Sequence, residues 1–369
     1  MARAELPRRV LGWDIGGAHV KACLVECAPG REGVVRDIAQ WPCPLWQGLG
    51  HLDAVIAQAR TRWPEAWDDR AGDTRHGVTM TGEMVDCFAN REDGVSRLAG
   101  HLAEALGPSL RLYVGLDAGA ESARWVTPQA ASTHWAAIAS ANWRATAEVV
   151  AARYPDAVLV DIGSTTTDLI VLHGGRIATP GASDAQRLAS GALVYQGVVR
   201  TPLCALAPRV PFMGEQVNVM NEFFATTADV YRLTGELDPA HDQQAAADNG
   251  AKNAAATRQR LARMIGRDAH EAGDAAWLAL AGCWRSAQVD EITGQLDRVL
   301  AGSGLRADAP LVGAGCGDFL AAELATHTGR PYRRFAGDVV PLADAAHLAA
   351  WAQVCAPAVA VAWLAAARA

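Results

Sequence analysis

The fold is decided by residues 157–176, which are AVLVDIGSTTTDLIVLHGGR. A short apolar run ends at Asp161, a polar turn follows, and after Asp168 the chain becomes apolar again. The turn consists of Gly163, Ser164, Thr165 and Thr166. Glycine lets the backbone come close to a ligand, and successive N–H and hydroxyl groups can surround a phosphate. The pattern predicts two strands joined by an anion-binding turn, although the same residue types also build ordinary hairpins.

A second copy of this design lies near the N-terminus, in VLGWDIGGAHVKACLVE. Asp14 ends an apolar run, Gly16 and Gly17 break it, and the extended pattern resumes with His19 and Lys21. His19 and Lys21 would lie just past the turn, where they could contact phosphate oxygens, although Lys21 could equally be a solvated strand residue. Two such hairpins predict two domains of similar topology that face a shared cleft, with the turns at the ligand.

A third glycine-rich turn occurs late in the chain, in APLVGAGCGDFLAAELA. An apolar strand ends in Gly313, Gly315 and Gly317, and a helix is predicted to begin near Asp318. A glycine turn at a helix N-terminus suits the approach of a phosphate or an adenine–ribose unit. A plain strand-to-helix turn is the alternative interpretation.

The chain has 369 residues, too many for one compact core, and the pattern of elements predicts an α/β fold with two domains. We expect the first domain at residues 1–154, completed by the C-terminal helix 345–369, and the second at residues 155–344. Within them, residues 135–154 favour one long helix. The polar, alanine-rich segment 238–253 predicts a mobile loop.

Composition narrows the class of function. Half of the residues are hydrophobic, a fifth are charged, and the net charge is -7, so no basic surface for nucleic acid or a membrane is expected. The eight cysteines form no CxxC pair, which favours free thiols in a reducing compartment. The N-terminus shows no signal-peptide pattern, and we expect a cytoplasmic protein. Small molecules are the expected partners, with a homo-oligomer left open.

The three turns together resemble the two phosphate motifs and the adenosine motif of the actin, sugar kinase and Hsp70 superfamily, whose fold is ribonuclease H-like. The matching segments are DIGG from Asp14, DIGSTTTD from Asp161 and GAGCG from Gly313. Their order and separation also match. Within that superfamily, GSTTTD resembles the hydantoinase A and oxoprolinase branch. The resemblance implies two actin-like domains with a ligand cleft between them.

A narrower resemblance extends from about Val10 to the final helix. It is carried by TMTGEMVDCF, ASANWRATA, RTPLCALAPRVPFMGEQVNVMNEFFATTADVYRLTGEL and RLARMIGRD. Together these segments are similar to the tetrahydromethanopterin-linked one-carbon transfer pathway proteins of methylotrophs, which are related to archaeal methanofuran biosynthesis. In the archaeal branch, the family activity joins an aminomethylfuran-methyl diphosphate to a γ-glutamyl-tyramine. An ether forms and diphosphate leaves.

The resemblance, taken with the residue chemistry, implies a set of site residues. Asp14 and Asp161 would hold Mg²⁺ through water beside the diphosphate. The predicted phosphate- or nucleotide-binding residues are Gly16, Gly17, His19, Lys21, Gly163, Ser164, Thr165, Thr166, Gly313, Gly315 and Gly317. The candidate catalytic carboxylates are Asp14, Asp161, Glu83, Asp168 and Glu222, of which the last three could act as base toward the phenol. The predicted substrate contacts are Thr81, Asn142, Trp143, Thr226 and Asp229.

Structural roles stay open for several of these residues. Glu83, Asp168 and Glu222 could each cap a helix or pair with an arginine. Asn142 and Trp143 could orient or stack on an aromatic substrate, but a tryptophan on a predicted helix usually packs in the core.

Three functions remain open from the sequence. The first is a transferase that forms an aryl–alkyl ether from a furan diphosphate and a phenolic amine of the tyramine or tyrosine type. The second is an ATP-dependent kinase or amide hydrolase of the hydantoinase or oxoprolinase type, in which the same turns hold ATP. His19 stands where many members of the superfamily carry a small hydroxyl residue, which weighs against this use. The third is a non-catalytic, nucleotide-gated regulatory protein.

Overall fold

The structure is a computed structural model, and it describes residues 8–27, 33–67, 74–115, 124–342 and 346–367. The strands are β1 Arg8–Ile15, β2 His19–Cys27, β3 Val34–Pro42, β4 Arg75–Met80, β5 Leu110–Tyr113, β6 Trp125–Val126, β7 Ala157–Ile162, β8 Thr167–His173, β9 Arg176–Ile177, β10 Leu193–Val194, β11 Arg209–Phe212, β12 Glu215–Asn218, β13 Leu311–Ala314 and β14 Tyr332–Arg334. The helices are α1 Gly50–Arg62, α2 Arg91–Leu106, α3 Trp135–Ile138, α4 Asn142–Arg153, α5 Asp184–Ser190, α6 Thr227–Thr234, α7 Ala254–Met264, α8 Asp274–Leu300, α9 Asp318–His327, α10 Ala346–Val354 and α11 Ala356–Ala366.

The chain folds into two compact units. The first comprises Met1–Pro155, Ala182–Asp184 and Arg334–Ala369, and the second comprises Asp156–Gly181 and Ala185–Arg333. Residues 334–342, which were expected in the second domain, therefore belong to the first. Helix α5 begins at Asp184, the last residue of a short segment that packs with the first unit.

The first unit is built on a six-stranded sheet in the order β3-β2-β1-β4-β5-β6. Strands β1, β2 and β3 run antiparallel to one another, whereas β4 pairs in parallel with β1 and with β5. Buried parallel strands tend to be apolar along their whole length, and the buried part of β1 follows this rule except at Asp14. This carboxylate is only 4% exposed, at the next-to-last position of the strand.

Helix α11 covers this sheet by packing on β1. Its sequence APAVAVAWLAA is rich in small residues, and most of its side chains are buried. A side chain at Gly12 of β1 would place its Cβ 2.3 Å from the carbonyl oxygen of Ala358 and 2.4 Å from the nitrogen of Ala362. Glycine at this position is therefore what lets the helix backbone approach the strand.

The second unit repeats the plan with the sheet order β10-β8-β7-β13-β14, while β11 and β12 form a separate hairpin. Strand β7 is antiparallel to β8 and parallel to β13, and all six of its residues are buried. Both units thus combine an antiparallel hairpin with a following parallel strand and flanking helices. This repetition confirms the predicted α/β class and agrees with the actin-like fold, whereas the cleft expected between the two units stays a prediction.

The prediction of a single long helix over residues 135–154 is wrong. The structure has two helices there, α3 and α4, and the break falls at Ser140, whose φ is 51°. Ala139 makes a parallel bridge to Met80 at the end of β4, and this tertiary contact outweighs the helix propensity of the alanine-rich sequence. The break brings Ser140 beside the residues that follow β4.

Segment 238–253, predicted as a mobile loop, is held by ion pairs to α6 and α7. Arg232 of α6 donates to Asp242 at 2.6 Å, and Lys252 contacts the same carboxylate at 3.2 Å. Arg260 of α7 donates to Asp248 at 3.1 Å and to the carbonyl oxygen of Ala251 at 3.0 Å. These contacts argue against free movement of the segment.

No single helix in the described part of the chain is long and apolar enough to cross a membrane. Helices α10 and α11 pass that test only as a pair, and they are bent by 97° at the break between them.

Candidate functional site

The first hairpin, β1 with β2, ends in a turn closed by one backbone hydrogen bond. The N–H of Gly16 donates to the carbonyl oxygen of His19 at 3.0 Å. The carbonyl oxygens of Gly17 and Ala18 accept from Leu45 and Cys43. The N–H groups of Gly17 and Ala18 have no acceptor among the described residues. They are therefore available to an anion.

The second hairpin, β7 with β8, closes in the same way. The N–H of Gly163 donates to the carbonyl oxygen of Thr166 at 2.8 Å, and the carbonyl oxygens of Gly163 and Ser164 accept from the backbone of residues 198–200. Within the described ranges, nothing accepts from the N–H groups of Ser164, Thr165 and Thr166. Three successive donors on a turn fixed from behind are suited to bind an anion, and the anion site predicted from the sequence stays a prediction.

Gly197 fixes the position of the second turn. A Cβ at this residue would lie 2.4 Å from the carbonyl carbon of Ser164, 2.4 Å from the nitrogen of Thr165 and 2.5 Å from the carbonyl oxygen of Gly163. All three are backbone atoms of the turn, which cannot give way as a flexible side chain could.

We therefore expect Gly197→Ala to displace the turn. The variant should lose about 1–3 kcal/mol of unfolding free energy and bind inorganic diphosphate more weakly, as measured by urea denaturation and calorimetry. Gly282→Ala is the matched control, because a Cβ at Gly282 of α8 meets no atom within 4 Å. Replacement of a helical glycine by alanine should be neutral or stabilise the protein by about 0.5–1 kcal/mol. Unchanged diphosphate binding in Gly197→Ala would contradict this role.

Asp14 lies opposite Lys21 in the first hairpin and beside Thr79 of β4. The Lys21 Nζ is 3.8 Å from Asp14 Oδ2, and the lysine side chain is 22% exposed. An ammonium group at this position can contact both the carboxylate and an anion at the turn. Thr81 follows β4 and its N–H donates to the carbonyl oxygen of Ile15 at 2.9 Å, which ties the end of β4 to the first turn.

Asp161 occupies the corresponding place in the second unit. It lies directly opposite Asp168 of β8 and beside Ala314 of β13, and it is 8% exposed. Residues directly opposite in an antiparallel pair share one face of the sheet. Asp168 forms a close ion pair with Arg187 of α5, whose side chain is 2% exposed. The arginine compensates one of the two carboxylates, and this contact favours a structural role for Asp168 over that of a base.

The third turn, after β13, packs directly against the second hairpin. Gly315 has a φ of 87°, and a Cβ there would lie 2.1 Å from the carbonyl oxygen of Ile162 and 2.6 Å from Asp161 Oδ1. The N–H of Gly317 donates to the same carbonyl oxygen of Ile162 at 2.8 Å. A Cβ at Gly313 would meet the side chains of Asp318 and Tyr332, which hydrogen-bond to each other. Gly315 and Gly317 thus permit close packing of the third turn on the end of β7, and Gly315 lies beside Asp161.

Glu83 lies in a short helical turn, Gly82–Met84, directly after β4. The residue is 0% exposed. Its Oε1 lies 2.8 Å from Ser140 Oγ, within hydrogen-bond distance, while its Oε2 has no partner within the described part of the chain. Burial raises the pKa of Glu83 to about 7. A carboxyl group that titrates near neutral pH is suited to accept or donate a proton.

The described residues contain no group of three or more His, Cys, Asp or Glu side chains that could hold a metal ion. Mg²⁺ in phosphate-binding sites is usually held by one or two carboxylates and completed by water and phosphate oxygens. Asp161, which lies opposite Asp168, could supply one carboxylate of that kind, while Asp168 pairs with Arg187. Asp14 lies near the Lys21 ammonium, which makes it the weaker candidate as a metal ligand.

Other predicted site residues are exposed or have structural partners. Glu222 is exposed in an irregular segment. Thr226 caps α6 with Asp229, whose Oδ2 accepts from the Thr226 N–H and whose Oδ1 accepts from Arg232 and Arg260. Both oxygens of Asp229 are engaged by the protein, and we assign it and Thr226 to the architecture of α6.

Asn142 and Trp143 begin α4. The Asn142 side chain accepts from the backbone N–H of Trp143 at 2.8 Å, and Trp143 is 3% exposed. Core packing, the alternative considered from the sequence, fits Trp143 better than stacking on a substrate.

Sequence reasoning missed four residues that the structure joins to these groups, namely Arg91, Ser140, Asp184 and Arg187. Arg91 and Asp184 form an ion pair of 2.7 Å across 93 positions in the chain. No local pattern reveals such a pair. Ser140 belongs to the ASANW segment, from which only Asn142 and Trp143 were predicted as substrate contacts.

A family model for hydantoinase/oxoprolinase matches residues 76–349 of the chain. The chain is 27% identical over 260 residues to the (4-{4-[2-(gamma-L-glutamylamino)ethyl]phenoxymethyl}furan-2-yl)methanamine synthase of Methanocaldococcus jannaschii, a match that covers 70% of this chain and 72% of the relative. It is 42% identical over 73 residues to the protein of the same name in Methanococcus vannielii, covering 20% of this chain and 32% of that one.

Among solved structures, component A of the (R)-2-hydroxyglutaryl-CoA dehydratase of Acidaminococcus fermentans is similar with a TM-score of 0.42. The sequence identity is 11%, and the match covers 97% of this chain and 99% of that chain. A likeness at this level supports no conclusion about function.

Proposed function

Because the chain belongs to the hydantoinase/oxoprolinase family, and because it is similar over 260 residues to a phenoxymethylfuran methanamine synthase, we propose that it forms an aryl–alkyl ether. The substrates are a furan-methyl diphosphate that carries an aminomethyl group and a phenol of the γ-glutamyl-tyramine or tyrosine type. The product is the furan–phenol ether of a methanofuran-type one-carbon carrier.

The name of the relative gives its product, which contains a phenoxymethyl group, and we infer that the ether bond of this group is the one formed. Disconnection of the phenoxymethyl group between oxygen and methylene carbon leaves a phenol and a furan-methyl electrophile. In the proposed reaction the phenol oxygen attacks the methylene carbon, and the bond from that carbon to the diphosphate oxygen breaks with its electron pair. Diphosphate leaves, and the phenol proton passes to a base. Atoms and charges balance without an oxidant or ATP.

The observation that supports the proposal is that each unit has a hairpin turn whose backbone N–H groups have no acceptor in the described part of the chain. Negative charge develops on the diphosphate as the bond to carbon breaks, and donors fixed in advance stabilise that charge. The second turn supplies the N–H groups of Ser164, Thr165 and Thr166, held from behind by Gly197 and residues 198–200. Lys21 beside the first turn adds a positive charge.

We propose that Mg²⁺ accompanies the diphosphate and that Asp161 holds it, with Asp14 as the weaker candidate. The metal would neutralise the charge of the leaving group. Glu83 is the proposed base toward the phenol, because it is the buried carboxyl group whose pKa lies near 7. The candidate residues of the first unit are therefore Asp14, Lys21, Thr81 and Glu83, and those of the second unit are Asp161 and its turn.

The direct test is an assay of the purified protein with the two substrates, with mass spectrometry to detect the ether and released diphosphate. We expect the ether to form with Mg²⁺ and without ATP, and we expect chelation of Mg²⁺ to lower the rate. Ether formation that depends on ATP, or ATP hydrolysis without ether formation, would contradict the proposal and support the kinase or amide hydrolase alternative. No turnover of any kind would favour a regulatory role.

A further inference from the structure

Ser140 places one hydroxyl group between two carboxyl groups. Its Oγ lies 2.8 Å from Glu83 Oε1 and 3.0 Å from Asp184 Oδ2. A serine hydroxyl carries a single proton, so it can donate to only one of these oxygens. The second contact is favourable only when that carboxyl group is itself protonated and donates to Oγ. Two hydrogen bonds at Ser140 Oγ therefore require one more proton than two carboxylates and a serine provide.

The surroundings decide which carboxyl group carries the extra proton. Arg91 donates from Nη2 to Asp184 Oδ2 at 2.7 Å, and this positive charge stabilises Asp184 as a carboxylate. Glu83 is 0% exposed, and its second oxygen has no hydrogen-bond partner among the described residues. A buried carboxyl group without a direct cationic partner favours the neutral form. The proton therefore belongs on Glu83.

We propose that Glu83, Ser140 and Asp184 form a proton-sharing chain in which Glu83 is a neutral acid at rest. Glu83 donates to Ser140, Ser140 donates to Asp184, and Arg91 keeps Asp184 charged. Ser140, Asp184 and Arg91 are positioning residues that set the protonation state of Glu83. The backbone of Ser140 supports this assignment, because its φ of 51° is uncommon for a residue with a side chain and recurs at functional sites.

The proton-sharing chain predicts how the rate of the proposed ether formation depends on pH. This part of the inference rests on the proposed function. The charged groups that face Glu83 are Asp184 and Arg91. Burial raises the pKa of Glu83 to about 7. Hydrogen bonds that the ionised group accepts from its own backbone N–H and from Ser140 oppose this rise, the charge of Asp184 adds to it, and Arg91 opposes it. Glu83 would then act as base only in its ionised form, so the rate should rise as the pH passes through about 7.

Infrared spectroscopy tests the location of the proton without substrate. Below pH 7 the wild type should show the carbonyl stretch of a protonated carboxyl group, and Glu83→Gln should lack this band. In the wild type the band should be lost as the pH rises through about 7. Asp184→Asn should shift that loss to lower pH, because a repelling charge is removed, and Arg91→Gln should shift it to higher pH. A Glu83 that is already ionised well below pH 7, or shifts in the opposite directions, would overturn the proposal.

Thermal unfolding gives a second readout that also needs no substrate. The folded-state pKa of Glu83 lies above its ordinary value of 4.5, so its contribution to stability is full below pH 4.5 and is lost as the pH rises through about 7. Glutamine mimics the neutral acid. As the pH rises over this range, the melting temperature of Glu83→Gln should therefore increase relative to that of the wild type. Glu92→Gln, at an exposed glutamate of α2, should show no such gain.

The two proposals can fail separately. If no ether forms but the infrared band and the melting temperatures behave as described, the proton-sharing chain stands and the proposed function falls. If the ether forms but the infrared band is absent, only the proposed proton-sharing chain is overturned. In Asp184→Asn, a shift of the pH profile of kcat/KM to lower pH would connect the proton-sharing chain to ether formation. A purely structural role for Asp184 would lower the rate without moving the profile.

Discussion

Replacement of Asp161 by asparagine should lower the rate of ether formation by about 100-fold or more while the protein stays folded. Asparagine has nearly the same shape as aspartate but no charge, so it cannot replace the carboxylate toward the proposed Mg²⁺ and diphosphate. Asp161 is 8% exposed and lies between Asp168 of β8 and the glycine turn after β13. Steady-state kinetics and calorimetric binding of Mg²⁺ with inorganic diphosphate would both show the loss.

The control for this variant is Asp290→Asn, which removes an exposed carboxylate from α8 of the same unit. It should leave the rate unchanged, since a distant surface charge contributes little at physiological ionic strength. Circular dichroism and urea denaturation would establish that both variants are folded. A folded Asp161→Asn protein with the wild-type rate would show that this carboxylate takes no part in the reaction.

The largest expected effect on stability is that of Arg260→Met in α7. The Arg260 side chain is 0% exposed and its Nε donates at 2.8 Å to Asp229, whose side chain is 1% exposed. Loss of one partner from a buried ion pair leaves the other charge poorly compensated and typically costs about 3–5 kcal/mol. Because Arg232 also contacts Asp229, we expect a value near the lower end, measured by urea denaturation.

Arg306→Met is the matched control for Arg260→Met. Arg306 pairs with Asp308 at 2.7 Å, but these side chains are 79% and 67% exposed, so removal of the pair should leave the unfolding free energy nearly unchanged. Arg260→Met should also expose segment 238–253 to limited proteolysis, since Arg260 contacts Asp248 and Ala251 within it. Equal stability of the two variants would contradict the view that the buried network holds this segment.

The parts of the fold that follow from local pattern could be predicted. Both hairpins rest on apolar strands interrupted by an aspartate and glycine, and the structure confirms their pairing and the closure of their turns. The turn after β13 was found for the same reason. The capping box of Thr226 and Asp229 also had a recognisable sequence signature, a threonine followed three positions later by an acidic residue. Both residues were predicted as substrate contacts, whereas the structure shows them capping α6.

Features that depend on distant contacts could not be predicted. The break at Ser140 follows from the bridge between Ala139 and Met80, and nothing in an alanine-rich helical sequence reveals that contact. The environment of Glu83 depends on Asp184 and Arg91, which come from separate parts of the chain. Glu83 was one of several equivalent carboxylates in the sequence. Only its burial and its contact with Ser140 distinguish it.

The central claim, ether formation with diphosphate as the leaving group, is tested most directly by an oxygen label in the same assay. The furan-methyl diphosphate is prepared with ¹⁸O in the oxygen that bridges the methylene carbon and the phosphorus. If the phenol oxygen attacks carbon, all of the label leaves with diphosphate and the ether contains none. An ether that retains the ¹⁸O would show that the carbon–oxygen bond of the substrate survives, and it would contradict the proposed reaction.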